Sequence, residues 1–213
     1  MPDSLPSIAI LGAGKLGVVL AQLALKAGYP VSIAGSGSPE KIRLSMSVLA
    51  PGATVATAPQ VIEQAAIVIL ALPLSNYHSL QPSLFTNKLV IDAMNYWWEV
   101  DGHDTELSAP TLSTSELVQA HLPSARVVKA LSHMGYHHLH DEALPAGQSD
   151  RKAIAIAGNS PADVATVADL VNRLGFDPVP IGNLAAGKQL EPGHPAFGAN
   201  VDAATLRSYV TEA

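Results

Sequence analysis

Residues 7–17 read SIAILGAGKLG and are followed directly by the helical pattern VVLAQLALKAG. A short apolar run breaks into Gly12, Gly14 and Gly17, which have the spacing Gly-x-Gly-x-x-Gly. Because this turn lacks side chains, backbone N–H groups and the positive end of the following helix can approach a phosphate closely. Strand, glycine turn and helix in this order indicate a site for the pyrophosphate of a dinucleotide. The alternative interpretation is a glycine-rich turn without a ligand.

The composition limits the classes of function. The 213 residues, of which 48% are hydrophobic, predict a single domain over residues 1–213, with a C-terminal extension over about 183–213. A net charge of −6 with 12 Lys and Arg residues and no basic cluster argues against nucleic-acid and membrane-surface partners. The chain has no cysteine, so redox chemistry must come from a cofactor. No secretory signal or membrane span is visible, which predicts a cytoplasmic protein.

Buried strands alternate with amphipathic helices along most of the chain. Apolar runs predict strands over residues 8–11, 31–34, 54–56, 67–72, 88–92, 126–131, 152–157 and 177–181. Helices are predicted between them, including one over about 75–84, with a polar, histidine-rich stretch over 132–150 and a last helix from about 202. This α/β alternation predicts a doubly wound parallel sheet, the Rossmann-type NAD(P)-binding fold. The carboxyl ends of its strands are expected to outline one crevice.

The turn after the second strand bears on the choice of dinucleotide. It reads AGSGS over residues 34–38, whereas NAD-binding proteins commonly carry Asp or Glu there for the ribose 2′-hydroxyl. Without a carboxylate, Ser36 and Ser38 can donate hydrogen bonds to a 2′-phosphate, and Lys41 and Arg43 are within reach. The turn therefore favours NADP(H) over NAD(H). A turn with no role in selectivity is the alternative.

Several stretches together are similar to one family. They are IAILGAGKLG at the start, IAGS after the second strand, VILALP over 68–73, IDAMN over 91–95, RVVKAL over 126–131 and the tail GFDPVPIGNLAAGKQLEPGHPAFGA over 175–199. With these motifs, the chain resembles the coenzyme F420-dependent NADP oxidoreductases and their bacterial dinucleotide-binding relatives along nearly its whole length. The resemblance implies a small Rossmann protein, often a homodimer, that transfers hydride between NADP(H) and a deazaflavin stacked near the nicotinamide.

The resemblance also implies roles for particular residues. The pyrophosphate loop of the family corresponds to Gly12, Ala13, Gly14, Lys15, Leu16 and Gly17, and its 2′-phosphate turn corresponds to Ser36. Leu72 and Pro73 correspond to the loop beside the nicotinamide. Ala93, Met94 and Asn95 correspond to a loop on the acceptor side.

Two departures from the family pattern leave the acceptor open. The turn after the second strand continues with Gly37 and Ser38, where the family usually has arginine. The family commonly has asparagine after the strand that contains VVKA, whereas this chain runs Leu131-Ser132-His133. The acceptor can therefore be F420, a flavin, or a small carbonyl or imine compound. The aromatic run over 96–98 is expected either to stack on a flat acceptor or to be structural.

Four histidines fall close together, at positions 133, 137, 138 and 140. Histidines four residues apart on a helix suit a metal, but no helix and no third ligand are evident, so no metal site is predicted. His133 follows a predicted strand into the crevice and is the candidate proton donor, with a structural role as the alternative. Neither Lys129 nor His194 is assigned a role.

These observations predict an NADP(H)-dependent oxidoreductase with a small-molecule redox acceptor. A non-catalytic protein that senses NADP(H) or binds a partner through the same fold is the alternative. A third hypothesis is the nucleotide-binding component of a ferric reductase, which would need a separate membrane partner.

Overall fold

Eight strands form a sheet in the computed structural model of this protein, which describes residues 5–103, 107 and 111–210. In chain order they are β1 (Ile8–Leu11), β2 (Val31–Ala34), β3 (Thr54–Val55), β4 (Ile67–Leu70), β5 (Leu89–Asp92), β6 (Arg126–Lys129), β7 (Ala153–Gly158) and β8 (Asp177–Pro180). Across the sheet the order is β3-β2-β1-β4-β5-β6-β7-β8. From β1 the chain adds strands in one direction, and from β4 it adds them in the other. A doubly wound sheet opens a crevice for a ligand between two such strands, here β1 and β4.

The predicted doubly wound sheet is confirmed, with one reversed step. Strands β1 to β6 pair in parallel, but β7 runs antiparallel to β6, with Lys129 opposite Ala157. Strand β8 then pairs in parallel with β7. Strand β7 therefore begins at the carboxyl edge of β6, where residues 132–138 line the crevice in part, whereas residues 143–146 lie beside the C-terminal end of the first helix, Lys15–Lys26.

Helices cover both faces of the sheet. They are α1 (Lys15–Lys26), α2 (Glu40–Leu49), α3 (Ala58–Gln64), α4 (Trp98–Asp101), α5 (Thr114–His121), α6 (Tyr136–Asp141), α7 (Pro161–Leu174) and α8 (Ala203–Tyr209). Alternate residues of β1 face opposite sides because side chains alternate along a strand. Ile8 and Ile10 pack with α1 and α7, whereas Ala9 and Leu11 pack with α3 and α5.

Two predictions of local structure are wrong. The expected helix over 75–84 is replaced by two 3-10 helices, Leu74–Ser79 and Pro82–Phe85. Proline lacks an N–H group, so Pro82 interrupts a continuous helical ladder and begins a new segment. The expected loop over 132–150 contains α6, which starts after Gly135 and buries Leu139.

The C-terminal extension packs on the last two strands. A 3-10 helix, Leu184–Leu190, and α8 place Leu190, Ala196 and Leu206 against Ala155 and Ala157, and none of these side chains is exposed. This packing was not predicted from the sequence. Among the residues that the structure describes, no helix combines the length and the apolar composition needed to cross a bilayer.

Candidate dinucleotide and acceptor site

The three glycines of the first turn are required for different reasons. Gly12 has φ +118°, and a Cβ there would lie 2.1 Å from the Ala71 carbonyl oxygen. A Cβ on Gly17 would lie 1.8 Å from the Gly12 carbonyl oxygen. Around Gly14, by contrast, a Cβ would meet nothing within 4 Å. Gly12 and Gly17 therefore let the backbone pack, whereas Gly14 leaves open space where a ligand can approach.

That open space lies at the N-terminus of α1. Gly14 is the N-cap residue and no side chain caps the helix, whose first turn also contains no acidic residue. The first N–H groups of an α-helix have no partner within the helix, and the helix dipole places positive potential there. The residues present therefore fit a pyrophosphate group, which would accept hydrogen bonds from these N–H groups.

A carboxylate at the start of α2 borders the turn after β2. Glu40 accepts hydrogen bonds from its own backbone N–H and from the Ser38 hydroxyl, which hold the pKa of this carboxyl below its ordinary value. Arg43 Nη2 lies 3.4 Å from Glu40 Oε1 at the surface. A Cβ on Gly37 would lie 3.3 Å from Lys41 Nζ, so that ammonium group also borders the turn. A carboxylate therefore borders the turn, and the preference for NADP(H) stays a prediction.

A cavity of about 700 Å³ opens beyond the glycine turn. Five segments line it: residues 14–16, 71–73, 93–101 in part, 132–138 in part and 197–198. The predicted nicotinamide residues Leu72 and Pro73 thus lie on the same cavity as the predicted acceptor loop 93–95 and as His133. Ser36 and Ser38 do not line this cavity.

His133 lies beneath the cavity wall and is 1% exposed. Its Nε2 accepts a hydrogen bond from the Ala155 N–H at 3.1 Å, and its carbonyl oxygen accepts one from the Gly198 N–H at 2.7 Å. Burial lowers the pKa of His133 to about 4, although hydrogen bonds with the backbone of Ala199 and Ala196 raise it. This imidazole is therefore neutral at physiological pH. A role in proton delivery stays a prediction.

A buried ion pair supports the acceptor loop, and the sequence analysis missed it. Lys129 and Asp92 are neighbours on β6 and β5, and neither is exposed. Lys129 Nζ lies 3.4 Å from Asp92 Oδ2 and also donates to the Met94 carbonyl oxygen. Asp92 in turn accepts from the Met94 N–H at 2.9 Å and from the Ser115 hydroxyl at 2.6 Å. Aligning the ends of IDAMN and RVVKAL as parallel neighbours would have revealed the pair.

The chain bends sharply after this pair. Leu131 has φ +61°, in the left-handed region that residues with a Cβ rarely adopt. Its side chain is not exposed. The carbonyl oxygen of Ser132 accepts a hydrogen bond from Asn95 Nδ2 at 2.7 Å, which ties the loop after β6 to the loop after β5. Backbone strain of this kind is common at ligand sites.

Aromatic side chains form one wall of the cavity. The ring of Trp97 lies 5.5 Å from that of Phe197, measured between centroids, at an angle of 55°. Asp101 fixes this region because its two carboxylate oxygens accept from the Ser75 N–H at 2.9 Å and the Trp97 N–H at 2.8 Å. Trp98 instead stacks on His103, and does not line the cavity.

The remaining histidines of the cluster lie on α6. His138 lines the cavity, whereas His137 and His140 are exposed and His140 Nδ1 lies 2.7 Å from Asp141 Oδ1. Over the described part of the chain, no three side chains of the types His, Asp and Glu are grouped so that they could hold a metal ion.

Comparisons with known families agree with the motifs. Residues 7–96 match the family model described as NADP oxidoreductase, coenzyme F420-dependent, which confirms the resemblance inferred from the sequence. The chain is 41% identical over 63 residues to the protein YjhV of Escherichia coli, and this match covers 30% of the chain and 46% of YjhV. It is 24% identical over 194 residues to the rat metalloreductase STEAP3, covering 90% of the chain and 37% of STEAP3. The chain thus spans less than half the length of both curated relatives.

Two solved structures are similar over most of both chains. The hypothetical protein SMa0349 from Sinorhizobium meliloti has a TM-score of 0.80 and 27% identity, covering 94% of this chain and 97% of its own. A proposed F420-dependent NADP reductase from Arthrobacter sp. FB24 has a TM-score of 0.71 and 24% identity, covering 86% and 88%. The matched family model is that of NADP oxidoreductases, and both solved structures share the Rossmann-type fold of this chain.

Proposed function

We propose that the protein is an NADP(H)-dependent oxidoreductase that transfers hydride between NADPH and a flat acceptor, such as F420, a flavin, or a small carbonyl or imine compound. One observation carries the proposal: the open space at Gly14, on the uncapped N-terminus of α1, leads directly into the cavity that Leu72 and Pro73 line. A dinucleotide held by its pyrophosphate at the Gly14 turn would have its nicotinamide end beside Leu72 and Pro73. The family match over residues 7–96 supports NADP as the dinucleotide.

The turn after β1 and the turn after β2 would bind different parts of the dinucleotide. In the proposal, the backbone N–H groups from Gly14 to Gly17 bind the pyrophosphate, and Ala13 lets the adenosine half pass close to Gly35. The side chains of Ser36, Ser38, Lys41 and Arg43 bind the 2′-phosphate. Lys15, which lines the cavity, neutralises charge on the pyrophosphate.

When bound, NADPH supplies hydride from its nicotinamide ring. The protein then has to hold the acceptor against that ring and keep water out, because alignment rather than acid or base strength limits hydride transfer. Loop 93–95 and the Trp97–Phe197 wall do this on the acceptor side. His133, neutral and hydrogen-bonded to the Ala155 N–H, fixes the loop after β6 beneath them.

Binding measurements on a Gly14→Val variant test the proposal. The new side chain meets no protein atom near its Cβ, so the melting temperature is expected to stay close to that of the parent protein. Because it fills the space assigned to the pyrophosphate, the Kd for NADPH is expected to rise at least about tenfold. An unchanged Kd would show that the dinucleotide does not bind at this turn.

The catalytic part of the proposal needs a second measurement. NADPH oxidation is followed with F420, FMN, FAD and small carbonyl and imine compounds in turn. Tight NADPH binding without oxidation by any of them would favour the non-catalytic alternative. The predicted homodimer and cytoplasmic location stay predictions, and light scattering in solution decides the first.

A further inference from the structure

The acceptor half of the cavity, which we define as residues 93–101 and 197–198, carries a carboxylate and no cation. Over the described part of the chain, the Lys, Arg, Asp and Glu side chains that line the cavity are Lys15 and Asp101, and His133 and His138 line it too. Lys15 belongs to the pyrophosphate turn, and its Nζ lies 5.4 Å from the centroid of the Tyr136 ring. Asp101 lies in the acceptor half. A bound pyrophosphate would use the positive charge of Lys15, whereas no cation among the described residues that line the acceptor half offsets Asp101, whose carboxylate oxygens accept from the Ser75 and Trp97 N–H groups.

The buried ion pair below the acceptor loop does not change this balance. Lys129 and Asp92 carry opposite charges 3.4 Å apart and are both fully buried. Their opposite charges offset each other, so the pair adds no net charge below the acceptor loop. Among the described residues, the lining of the acceptor half therefore carries a net negative charge, in a protein whose net charge is −6.

The shape of the acceptor half suits a flat ring. Trp97 and Phe197 contribute two aromatic faces from distant parts of the chain, and Met94 adds a polarisable side chain to the lining. Aromatic rings and thioethers contact flat conjugated molecules favourably and give no specific recognition of an anion.

We propose that the acceptor is a flat ring molecule without anionic groups, and that phosphate or carboxylate groups on the ring or on its side chain weaken its binding. This inference rests on the proposed function and names the substrate class of the same site. In the overall reaction, NADPH, a proton from solvent and the oxidised ring yield NADP⁺ and the ring reduced by two electrons. The ring takes the hydride and the solvent proton, so the protein supplies no electrons.

Two pairs of compounds isolate the charge. Riboflavin and FMN share one ring and differ by a phosphate, and F420 and its phosphate-free chromophore share another ring. Each compound is titrated into the full-length protein saturated with NADP⁺, and its binding is followed by quenching of ring fluorescence. We expect the neutral member of each pair to bind about tenfold more tightly at low salt, and the ratio to shrink as salt screens Asp101.

Two variants separate charge from stacking. Asp101→Asn removes the carboxylate charge and keeps one oxygen as an acceptor, so the ratio between neutral and anionic rings is expected to fall. Phe197→Ala is expected to weaken both members of a pair equally. Should Asp101→Asn disturb the fold around Trp97, the comparison of neutral and anionic rings in the parent protein still decides the inference.

Equal or tighter binding of FMN and F420 overturns the inference, and so does failure of every neutral ring to bind. The proposed function fails separately, if NADPH itself does not bind at the Gly14 turn. Oxidation of NADPH by a non-planar carbonyl compound alone would overturn the inference while it supports the proposed function.

Discussion

Lys129 and Asp92 face each other as register neighbours on two parallel strands, and neither side chain reaches solvent. Asp92 accepts hydrogen bonds from the Met94 N–H and from the Ser115 hydroxyl, and Lys129 donates one to the Met94 carbonyl oxygen. The pair therefore fixes the first residues of the loop that enters the cavity. Removing one partner leaves the other charge buried without compensation, which costs more than the pair contributes.

Lys129→Met is expected to lower the free energy of unfolding by about 3–5 kcal/mol, because Asp92 stays buried and loses its cation. Urea unfolding measures the change. In the double variant Lys129→Met/Asp92→Asn, the neutral amide removes the uncompensated charge, so part of the lost stability returns. A double variant that is less stable than Lys129→Met alone would contradict this account of the pair.

His133 predicts a specific pH dependence of stability. Its pKa falls from 6.5 to about 4 on folding, so between these pH values His133 is protonated in the unfolded chain and neutral in the folded protein. The contribution of His133 to the free energy of unfolding is therefore highest above pH 6.5 and falls by about 3 kcal/mol as the pH is lowered towards 4. In His133→Gln, whose Oε1 can accept from the Ala155 N–H, this part of the pH dependence disappears. Unfolding curves of both proteins across that pH range make the comparison.

The same imidazole tests the hypothesis of proton delivery. With a pKa of about 4, His133 is neutral throughout the physiological range, so the hydride-transfer rate should show no His133-linked inflection between about pH 6 and 8. A rate that keeps its value and its pH profile in His133→Gln removes this residue from the chemical step. Loss of an inflection in the variant would instead establish His133 as the proton donor.

Gly17→Ala and Gly14→Ala form a matched pair on one turn. The Gly17 Cβ would overlap the Gly12 carbonyl oxygen at 1.8 Å, so the backbone must shift and the loss of stability should reach about 3 kcal/mol or more. The Gly14 Cβ meets nothing within 4 Å, and its stability cost should stay below about 1 kcal/mol. Thermal unfolding without ligand compares the two. Equal costs would mean that the turn differs from the one described.

Glu40 is expected to limit selectivity for NADP(H). Its carboxylate accepts from Ser38 and lies 3.4 Å from Arg43, so it competes with a 2′-phosphate for both donors. Glu40→Gln should increase the preference for NADPH over NADH by about 3- to 10-fold, and Arg43→Ala should decrease it. The ratio of the two Kd values is the measurement. If Glu40→Gln favours NADH, the turn does not hold the 2′-phosphate.

The features that could be predicted from the sequence depend on neighbouring residues. β1, the glycine turn and the start of α1 lie within one continuous stretch, so their pattern alone identifies them. The Ser113–Glu116 capping box is local in the same sense, and the structure contains it. In these segments the prediction and the structure agree, whereas over 75–84 the local pattern predicted one helix and Pro82 divides it.

The features that could not be predicted depend on distant residues. The antiparallel direction of β7 is decided by the path of residues 130–152, which no local pattern records. The Lys129–Asp92 pair joins positions 37 apart in the chain, and the burial of His133 depends on Ala155 and Gly198. The family match ends at residue 96, one residue before the aromatic wall begins, so it informs the dinucleotide end of the site better than the acceptor end.

The position of Phe197 in the chain sets an order of events during synthesis. A ribosome has released the whole Gly14 turn and the strands around it long before Phe197 reaches the cavity. A chain truncated before Phe197 would therefore keep the residues of the glycine turn and lack one of the two rings of the aromatic wall.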